Sequence, residues 1–176
     1  EVTAEVPATV PSAPSITLVA RELGTITVTW SAPSDSGGAD VTDYTVTAVP
    51  NDSSGNVDCA WTTGDGALTC DLTSVVDTAD YSITVVATNS AGNSTASSSS
   101  TSYGYSAPGA PSLTSVTAGN GTLTLIFTPG ETGGLTITEY AYSTDGGATF
   151  DSFASVSGPY VITGLTNGHS YSIKLA

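Results

Sequence analysis

The fold class of this chain is decided by one stretch, Tyr81-Ser82-Ile83-Thr84-Val85-Val86-Ala87-Thr88-Asn89-Ser90-Ala91-Gly92. Alternate positions of the stretch share one apolar face, which is formed by Tyr81, Ile83, Val85 and Ala87. The opposite face is polar except for Val86. A period of two residues is typical of a half-buried β-strand, and the closing Asn/Gly cluster predicts a turn. The stretch therefore predicts a strand that turns one face towards a hydrophobic core.

Similar strand patterns fill the first part of the chain, and none of its segments has a sustained helical period. The other predicted strands cover residues 16–20, 25–30, 44–49, 57–62, 67–72 and 94–101. Clusters of Gly, Pro, Asn, Asp and Ser separate them. Seven short strands in about 90 residues are typical of an all-β sandwich. Within this pattern, Trp30 is expected in the core.

The composition excludes several classes of function. The chain has 16 acidic residues against two basic ones, Arg21 and Lys174, and a net charge of -14. Nucleic-acid binding needs Lys and Arg against phosphate, so a nucleic-acid partner is excluded. No apolar run is long enough to span a bilayer. The low charged fraction, 10%, and the Ser/Thr-rich surface favour a secreted or cell-surface protein.

The second part of the chain repeats the first. Residues 13–17, Ala-Pro-Ser-Ile-Thr, return as Ala-Pro-Ser-Leu-Thr at residues 110–114, and residues 24–30 return at 121–127. Later in the repeat, Tyr171 is the counterpart of Tyr81. A proline-containing segment, residues 103–110, links the two copies. The sequence thus predicts an N-terminal extension at 1–10, one domain at 11–102 and a second domain at 111–176.

The shared positions make the chain resemble two tandem fibronectin type III domains of the bacterial kind. The resemblance rests on the Pro-containing start of each copy, the aromatic residue on its second strand (Trp30 and Phe127), and the spacing from Leu165 to Tyr171. It implies two immunoglobulin-like sandwiches of three plus four strands. It also implies a role in spacing, adhesion or display, without a cofactor and without identifying a ligand.

The second copy departs from this family because it has no residues for the seventh strand. We therefore expect an all-β chain whose second sandwich lacks its last strand. The sixth strand would keep an unpaired edge, and the side chains beside it would line an acceptor groove formed by Tyr171, Ile173 and Leu175. One interpretation is that the protein continues past Ala176. The other is that the strand comes from another molecule.

Residues 1–10 have the pattern that a donated strand needs. Apolar side chains occupy every second position, at Val2, Ala4, Val6, Ala8 and Val10. Pro7 cannot donate a ladder hydrogen bond, so this strand would have to lie at an edge. Adding a strand to an open sheet edge is an established route to polymers, and a contact that does not close makes a filament.

The two cysteines, Cys59 and Cys70, bracket ten residues with a Gly64-Asp65-Gly66 turn. The turn brings the flanking segments together, so we expect a disulfide formed in an oxidising compartment. Trp61 lies beside Cys59, where it either packs on the disulfide or acts as a contact residue. Two cysteines and the distant His169 do not make a tetrahedral metal site.

The remaining polar residues form no catalytic arrangement, so we expect no enzyme. His169 has no nucleophile or orienting partner and is expected in an exposed turn. Calcium can bind carboxylates in loops, which makes Asp35, Asp40 and Asp43 candidates, together with the Asp145-Gly146-Gly147 cluster. Asp and Gly are also ordinary turn formers, and that interpretation is preferred. The N-glycosylation pattern occurs at Asn51, Asn93 and Asn120.

The sequence therefore predicts a structural extracellular protein, the repeating subunit of a fibre or pilus-like filament assembled by donor-strand complementation. Its expected partner is a second copy of the chain. The alternative is a spacer, adhesion or carbohydrate-binding module of a larger secreted enzyme, adhesin or viral surface protein, with a polysaccharide or cell-surface ligand.

Overall fold

The computed structural model describes residues 2, 4–62, 66–154 and 157–176. The chain forms two compact units, unit 1 (Glu1–Gly104) and unit 2 (Tyr105–Ala176). All regular elements of the described residues are β-strands. In the same part of the chain, no helix is long and apolar enough to cross a membrane.

Unit 1 is a sandwich of two antiparallel sheets. Its strands are β1 (Ser15–Glu22), β2 (Thr25–Ser31), β3 (Asp43–Pro50), β4 (Val57–Thr62), β5 (Thr69–Thr73), β6 (Tyr81–Asn89), β7 (Gly92–Asn93) and β8 (Ser100–Ser102). One sheet has the order β1-β2-β5. The other has the order β4-β3-β6-β7, and β8 also pairs with β6.

The core of unit 1 follows from the alternation in its central strands. In β2, β3 and β6 every second side chain is buried, as a half-buried strand requires. Both sheets contribute to one cluster that contains the predicted core residue Trp30 and the apolar face of β6. The prediction of a strand over residues 81–89 with one buried face is therefore confirmed.

Unit 2 repeats this plan with shorter strands. They are β9 (Ser112–Gly119), β10 (Thr122–Thr128), β11 (Tyr140–Ser143), β12 (Asp151–Phe153), β13 (Tyr160–Ile162) and β14 (Lys174–Leu175). The two sheets have the orders β13-β10-β9 and β12-β11-β14. Phe127, the predicted counterpart of Trp30, packs with Tyr140 and Phe153 in the core. The all-β fold with two sandwiches is confirmed.

A short segment ahead of the first strand is bound in the same way in both units, and we call it the strap (residues 9–12 in unit 1, 106–109 in unit 2). Backbone N–H groups of Thr9 and Ser12 donate to the carbonyls of Gly37 and Asp35, at 2.8 and 2.9 Å. In unit 2 the N–H groups of Ser106 and Gly109 donate to the carbonyls of Gly133 and Glu131, both at 2.8 Å. The strap of unit 2 thus uses residues that the sequence assigned to a linker at 103–110.

The last predicted strand of unit 1 differs in extent from the prediction. Residues 94–101 were expected to form it, but regular pairing with β6 is limited to β8. Upstream of β8, Ser94 and Ser97 bind β6 through both their N–H groups and their hydroxyls. Their hydroxyls accept from the N–H groups of Ala87 and Val85 at 3.0 Å. The serine side chains replace part of the backbone ladder, which a pattern of alternation does not reveal.

Candidate functional site

The sixth strand of unit 1 is paired on both of its edges. β3 binds one edge along eight residue pairs, from Asp43↔Thr88 to Pro50↔Tyr81. The other edge is covered by β7, by Ser94 and Ser97, and by β8. As a result Tyr81, Ile83 and Val85 are completely or almost completely buried.

The corresponding strand of unit 2 is paired on one edge only in the part of the chain that the structure describes. β14 pairs with β11 through Tyr142↔Leu175 and Ser143↔Lys174. Ala141 and Ala176 extend this ladder by exchanging two hydrogen bonds of 2.9 Å. Tyr171, Ile173 and Leu175 are half-buried, although their counterparts in unit 1 are buried. The three residues predicted to line an acceptor groove therefore lie beside an open edge of unit 2.

An apolar groove of about 280 Å³ lies beside Ala176, the residue that follows β14, and it is lined by Pro108, Ala110, Pro111, Ile137, Tyr140 and Ala176 among others. The hydroxyl of Tyr140 is buried and has no hydrogen-bond partner among the described residues. A buried hydroxyl without a partner is unfavourable, and an added chain segment with a polar backbone would supply one. The groove and the open edge together form the candidate site.

The N-terminal residues predicted as a donor strand belong to no strand in the single chain, among residues 2 and 4–10. Val2 and Val6 are 98% and 88% exposed, and Ala4 is exposed as well. Their apolar side chains are therefore available to another surface, and their role as a donor stays a prediction.

The end of this predicted donor is already bound to unit 1. The carbonyl of Thr9 accepts a hydrogen bond of 2.7 Å from the Asn89 side-chain amide. Val10 is 46% exposed and approaches Gly92. Val10 thus belongs to the strap of unit 1, and the free apolar positions are Val2, Ala4 and Val6 with the half-buried Ala8.

Cys59 and Cys70 form the expected disulfide, with their Cα atoms 6.3 Å apart. The bond joins β4 of one sheet to β5 of the other. Two residues of the turn used to predict it, Gly64 and Asp65, lie outside the described residues.

Trp61 packs edge-on against Tyr44, with ring centroids 5.4 Å apart, and its indole N–H donates to the Ala67 carbonyl. Trp61 also belongs to the margin of the core that contains both cysteines.

Unit 2 has an aromatic stack near the position that the disulfide has in unit 1, and one of its members, Tyr160, is the counterpart of Cys70. Cys70 pairs with Val28, and Tyr160 pairs with Leu125, the counterpart of Val28 in the repeat. The ring of Tyr160 stacks on Phe153 of the other sheet, with centroids 4.0 Å apart. Desolvation raises the pKa of the adjacent Tyr142 hydroxyl, and the neighbouring Tyr160 and Asp151 raise it further.

The Asp145 cluster is organised by internal hydrogen bonds. The Asp145 carboxylate accepts from the hydroxyls of Ser143 and Thr149, both at 2.7 Å, and from the N–H groups of Ala148 and Thr149. These bonds, with the Ser143 hydroxyl first, hold the pKa of Asp145 well below its ordinary value. Both oxygens of this carboxylate thus serve to close the loop.

The other calcium candidates are engaged in local turns. Asp35 accepts from the N–H of Gly37 at 2.8 Å, and Asp43 accepts from the Thr42 hydroxyl at 2.9 Å. Asp40 is exposed. Over the described ranges, no three His, Cys, Asp or Glu side chains come together as a metal site. Calcium binding at these residues remains untested.

The predicted glycosylation positions are all exposed; Asn51 and Asn120 lie between strands, and Asn93 ends β7. The Asn51 side chain bonds with Asp80 through both its oxygen and its nitrogen. Asn93 and Asn120 use their side-chain oxygens as acceptors, from the Thr88 hydroxyl and the Asn167 amide. Glycosylation stays a prediction at all three positions.

Arg21 is the residue that the sequence analysis missed. Its guanidinium donates to the carbonyls of Val76, Asp77 and Ala79 and lies over the Tyr81 ring at 5.6 Å. A single arginine just after a predicted strand gives no signal of this, because its partners are backbone carbonyls more than 50 residues away. His169 is exposed, as predicted, and its ring contacts Tyr171 edge-on at 5.2 Å.

Comparisons with known proteins identify the family of the first copy. The family model described as "Fibronectin type III domain" matches residues 11–103, more than half of the chain. Three solved structures are similar to this chain. The FN5 domain of Drosophila Lar is 18% identical (TM-score 0.45), covering 56% of this chain and all of that one. Domains A168–A170 of titin are 21% identical (TM-score 0.45), covering 55% and 32%.

The third is the twitchin kinase region from C. elegans, which is 18% identical with a TM-score of 0.47 and covers 53% of this chain and 16% of that one. A search of curated proteins finds no significant match.

Proposed function

Since the chain belongs to the fibronectin type III family, whose domains are general structural or adhesion-type modules, we propose that it is an extracellular structural protein in which a strand from a second copy completes unit 2. The observation that carries the proposal is the open edge of β14, together with the apolar groove beside Ala176. The disulfide fits an oxidising, extracellular compartment.

The two straps support the choice of donor. In unit 1, β8 ends four residues before Ser106, the first strap residue bound in unit 2. Counting back by the same distance from Thr9 reaches residue 5, so residues 3–5 correspond to Ser100–Ser102. By this count the N-terminal segment corresponds in sequence to the last strand of a repeat. A last strand is the element that the edge of β14 would accept.

The apolar alternation also selects which face of the donor turns inward. In unit 1, Ser102 is buried and Tyr103 is 74% exposed. An unshifted register would bury Glu5 in the position of Ser102, and an unpaired buried carboxylate is strongly unfavourable. A register shifted by one residue turns Val2, Ala4 and Val6 inward instead and leaves Glu5 in solvent.

Replacing residues 1–8 by a Gly/Ser segment of equal length tests the proposal. Because the strap at residues 9–12 is kept, unit 1 should remain folded. We expect the intact chain to form head-to-tail oligomers in light scattering and negative-stain microscopy, and the replaced chain to be monomeric. Equal assembly of both chains would contradict donation by this segment.

The same last-strand position favours a second candidate, a spacer or adhesion module in a longer tandem array. There, residues 1–8 would complete a preceding domain, and the edge of β14 would be covered by residues that follow it in the chain. A 176-residue chain that stays monomeric at every concentration supports this second function and contradicts the first. Binding to a polysaccharide panel would then test its adhesion role.

A further inference from the structure

Unit 1 contains a binding site for a guanidinium group, which Arg21 fills from within the chain. Nη2 donates to the carbonyls of Val76 and Asp77 at 2.8 and 3.1 Å. Nη1 donates to the carbonyl of Ala79 at 3.1 Å. Carbonyl oxygens on one side and an aromatic ring face below are a favourable setting for a planar cation.

Unit 2 has the same loop without the arginine. The hydroxyl of Tyr171 accepts from the Thr166 N–H at 2.9 Å, as Tyr81 does from Val76. The Asn167 side chain binds the Gly121 N–H at 2.8 Å, as Asp77 binds that of Gly24 at 2.7 Å. These contacts make Thr166, Asn167 and His169 the counterparts of Val76, Asp77 and Ala79.

Ala118 stands where unit 1 has Arg21. Arg21 pairs with Ile26 in the β1–β2 ladder, and Ala118 pairs with Leu123 in the β9–β10 ladder. Ile26 and Leu123 are equivalent in the repeat. A cavity of about 80 Å³ is present at this place, lined by Ala118, Asn167, His169 and Tyr171 among others. The shorter side chain thus leaves space above the ring of Tyr171.

We propose that this cavity in unit 2 binds the guanidinium group of an external ligand. The loop offers backbone carbonyls and a tyrosine ring, which accept hydrogen bonds and attract a cation. The net charge of -14 favours cations over anions at its surface. Arg21, the only arginine of the chain, is already bound in unit 1, so a second copy does not supply the group.

The guanidinium has two possible sources, a free small molecule or an arginine side chain of a protein. Titration of the full chain with agmatine and with the peptide Gly-Arg-Gly, followed by amide NMR shifts, separates them. Citrulline, a neutral analogue of the same shape, is the ligand control. We expect saturable shifts at Gly121, Asn167 and Gly168 with a midpoint on the order of millimolar, and no saturable shift with citrulline.

The counterparts in unit 1, Gly24 and Asp77, are the internal control because Arg21 fills their site. Peptide binding that is several-fold tighter than agmatine binding would indicate an arginine of a partner protein. Equal binding of both would indicate a free guanidine compound. If neither agmatine nor Gly-Arg-Gly shifts the amide signals of unit 2 more than citrulline does, the proposal is overturned.

Filling the cavity from within is the matched variant. Ala118→Arg should abolish the shifts in unit 2, as the new guanidinium takes the site. The complementary variant Arg21→Ala opens the site in unit 1 and should create saturable agmatine shifts at Gly24 and Asp77. Unchanged agmatine binding in folded Ala118→Arg contradicts the proposal. If that variant does not fold, an Arg21→Ala chain without new shifts in unit 1 contradicts it equally.

Discussion

At the scale of single residues, Arg21 shows how one half-buried side chain joins separate parts of unit 1. Its guanidinium reaches from β1 to the loop before β6 and to the Ser102 hydroxyl on β8. Hydrogen bonds to charged groups contribute about 1.5–3 kcal/mol each, part of which water replaces on truncation. We expect Arg21→Ala to lower the free energy of unfolding of unit 1 by about 2–4 kcal/mol.

Urea unfolding followed by tryptophan fluorescence measures this change, because both tryptophans, Trp30 and Trp61, lie in unit 1. Glu22→Ala is the control, since Glu22 is the exposed neighbour on the same strand. It should change the free energy by less than about 0.5 kcal/mol. Equal effects of the two substitutions would show that the guanidinium network does not stabilise unit 1.

Asp145 gives a prediction about pH at the same scale. Its pKa is depressed in the folded state, so the loop is fully stabilised above the ordinary aspartate pKa of about 4. The stabilisation is lost as the pH falls below that value and through the depressed pKa. Carbonyl ¹³C titration should show Asp145 still ionised at a pH where the aspartate of a short unstructured peptide has become protonated. Simultaneous protonation of the two aspartates would contradict the hydrogen-bonded loop.

At the scale of elements, the two units join their sheets by different contacts. Unit 1 joins β4 to β5 by the disulfide, and unit 2 stacks Phe153 of β12 on Tyr160 of β13. A disulfide stabilises mainly by restricting the unfolded chain, whereas a stacked pair does so by burying apolar area in the folded one. Reducing conditions should therefore act on unit 1 alone.

The double variant Cys59→Ala/Cys70→Ala tests this difference. We expect a loss of about 3 kcal/mol in the unfolding of unit 1, measured by tryptophan fluorescence. Amide exchange in β10 and β13 should not change. A thiol reductant added to the unaltered chain should produce the same loss of unfolding free energy in unit 1. Faster amide exchange in unit 2 would show instead that the disulfide stabilises both units.

The sequence predicts an element well where side-chain alternation alone forms it. β6 and β2 alternate strictly and were predicted to within one residue. β8 was predicted too long, because the serine hydroxyls of Ser94 and Ser97 take over hydrogen bonds that alternation assigns to a strand. The straps were also missed, since their contacts depend on glycine turns such as Gly37, where a Cβ atom would collide with the Thr9 carbonyl.

At the scale of the whole chain, the internal repeat predicted more of the domain organisation than any single motif did. Matching residues, whose offset changes only with loop length, predicted two sandwiches and a sixth strand with an unpaired edge in the second. The groove at Pro108 and Tyr140 was not foreseen, because residues distant in sequence form it. Nor was the cavity at Ala118, which becomes visible only when the Arg21 contacts of unit 1 are compared with unit 2.

Strand donation also makes a prediction at this scale, and it concerns register. If Val6 turns inward at the edge of β14, Val6→Lys should abolish oligomers in light scattering, because it would place a charge in an apolar groove. It should leave the stability of unit 1 unchanged, since Val6 is 88% exposed in the single chain. Glu5→Gln is the matched control and should assemble normally. Normal assembly of Val6→Lys with altered assembly of Glu5→Gln would show that the unshifted repeat register is the correct one.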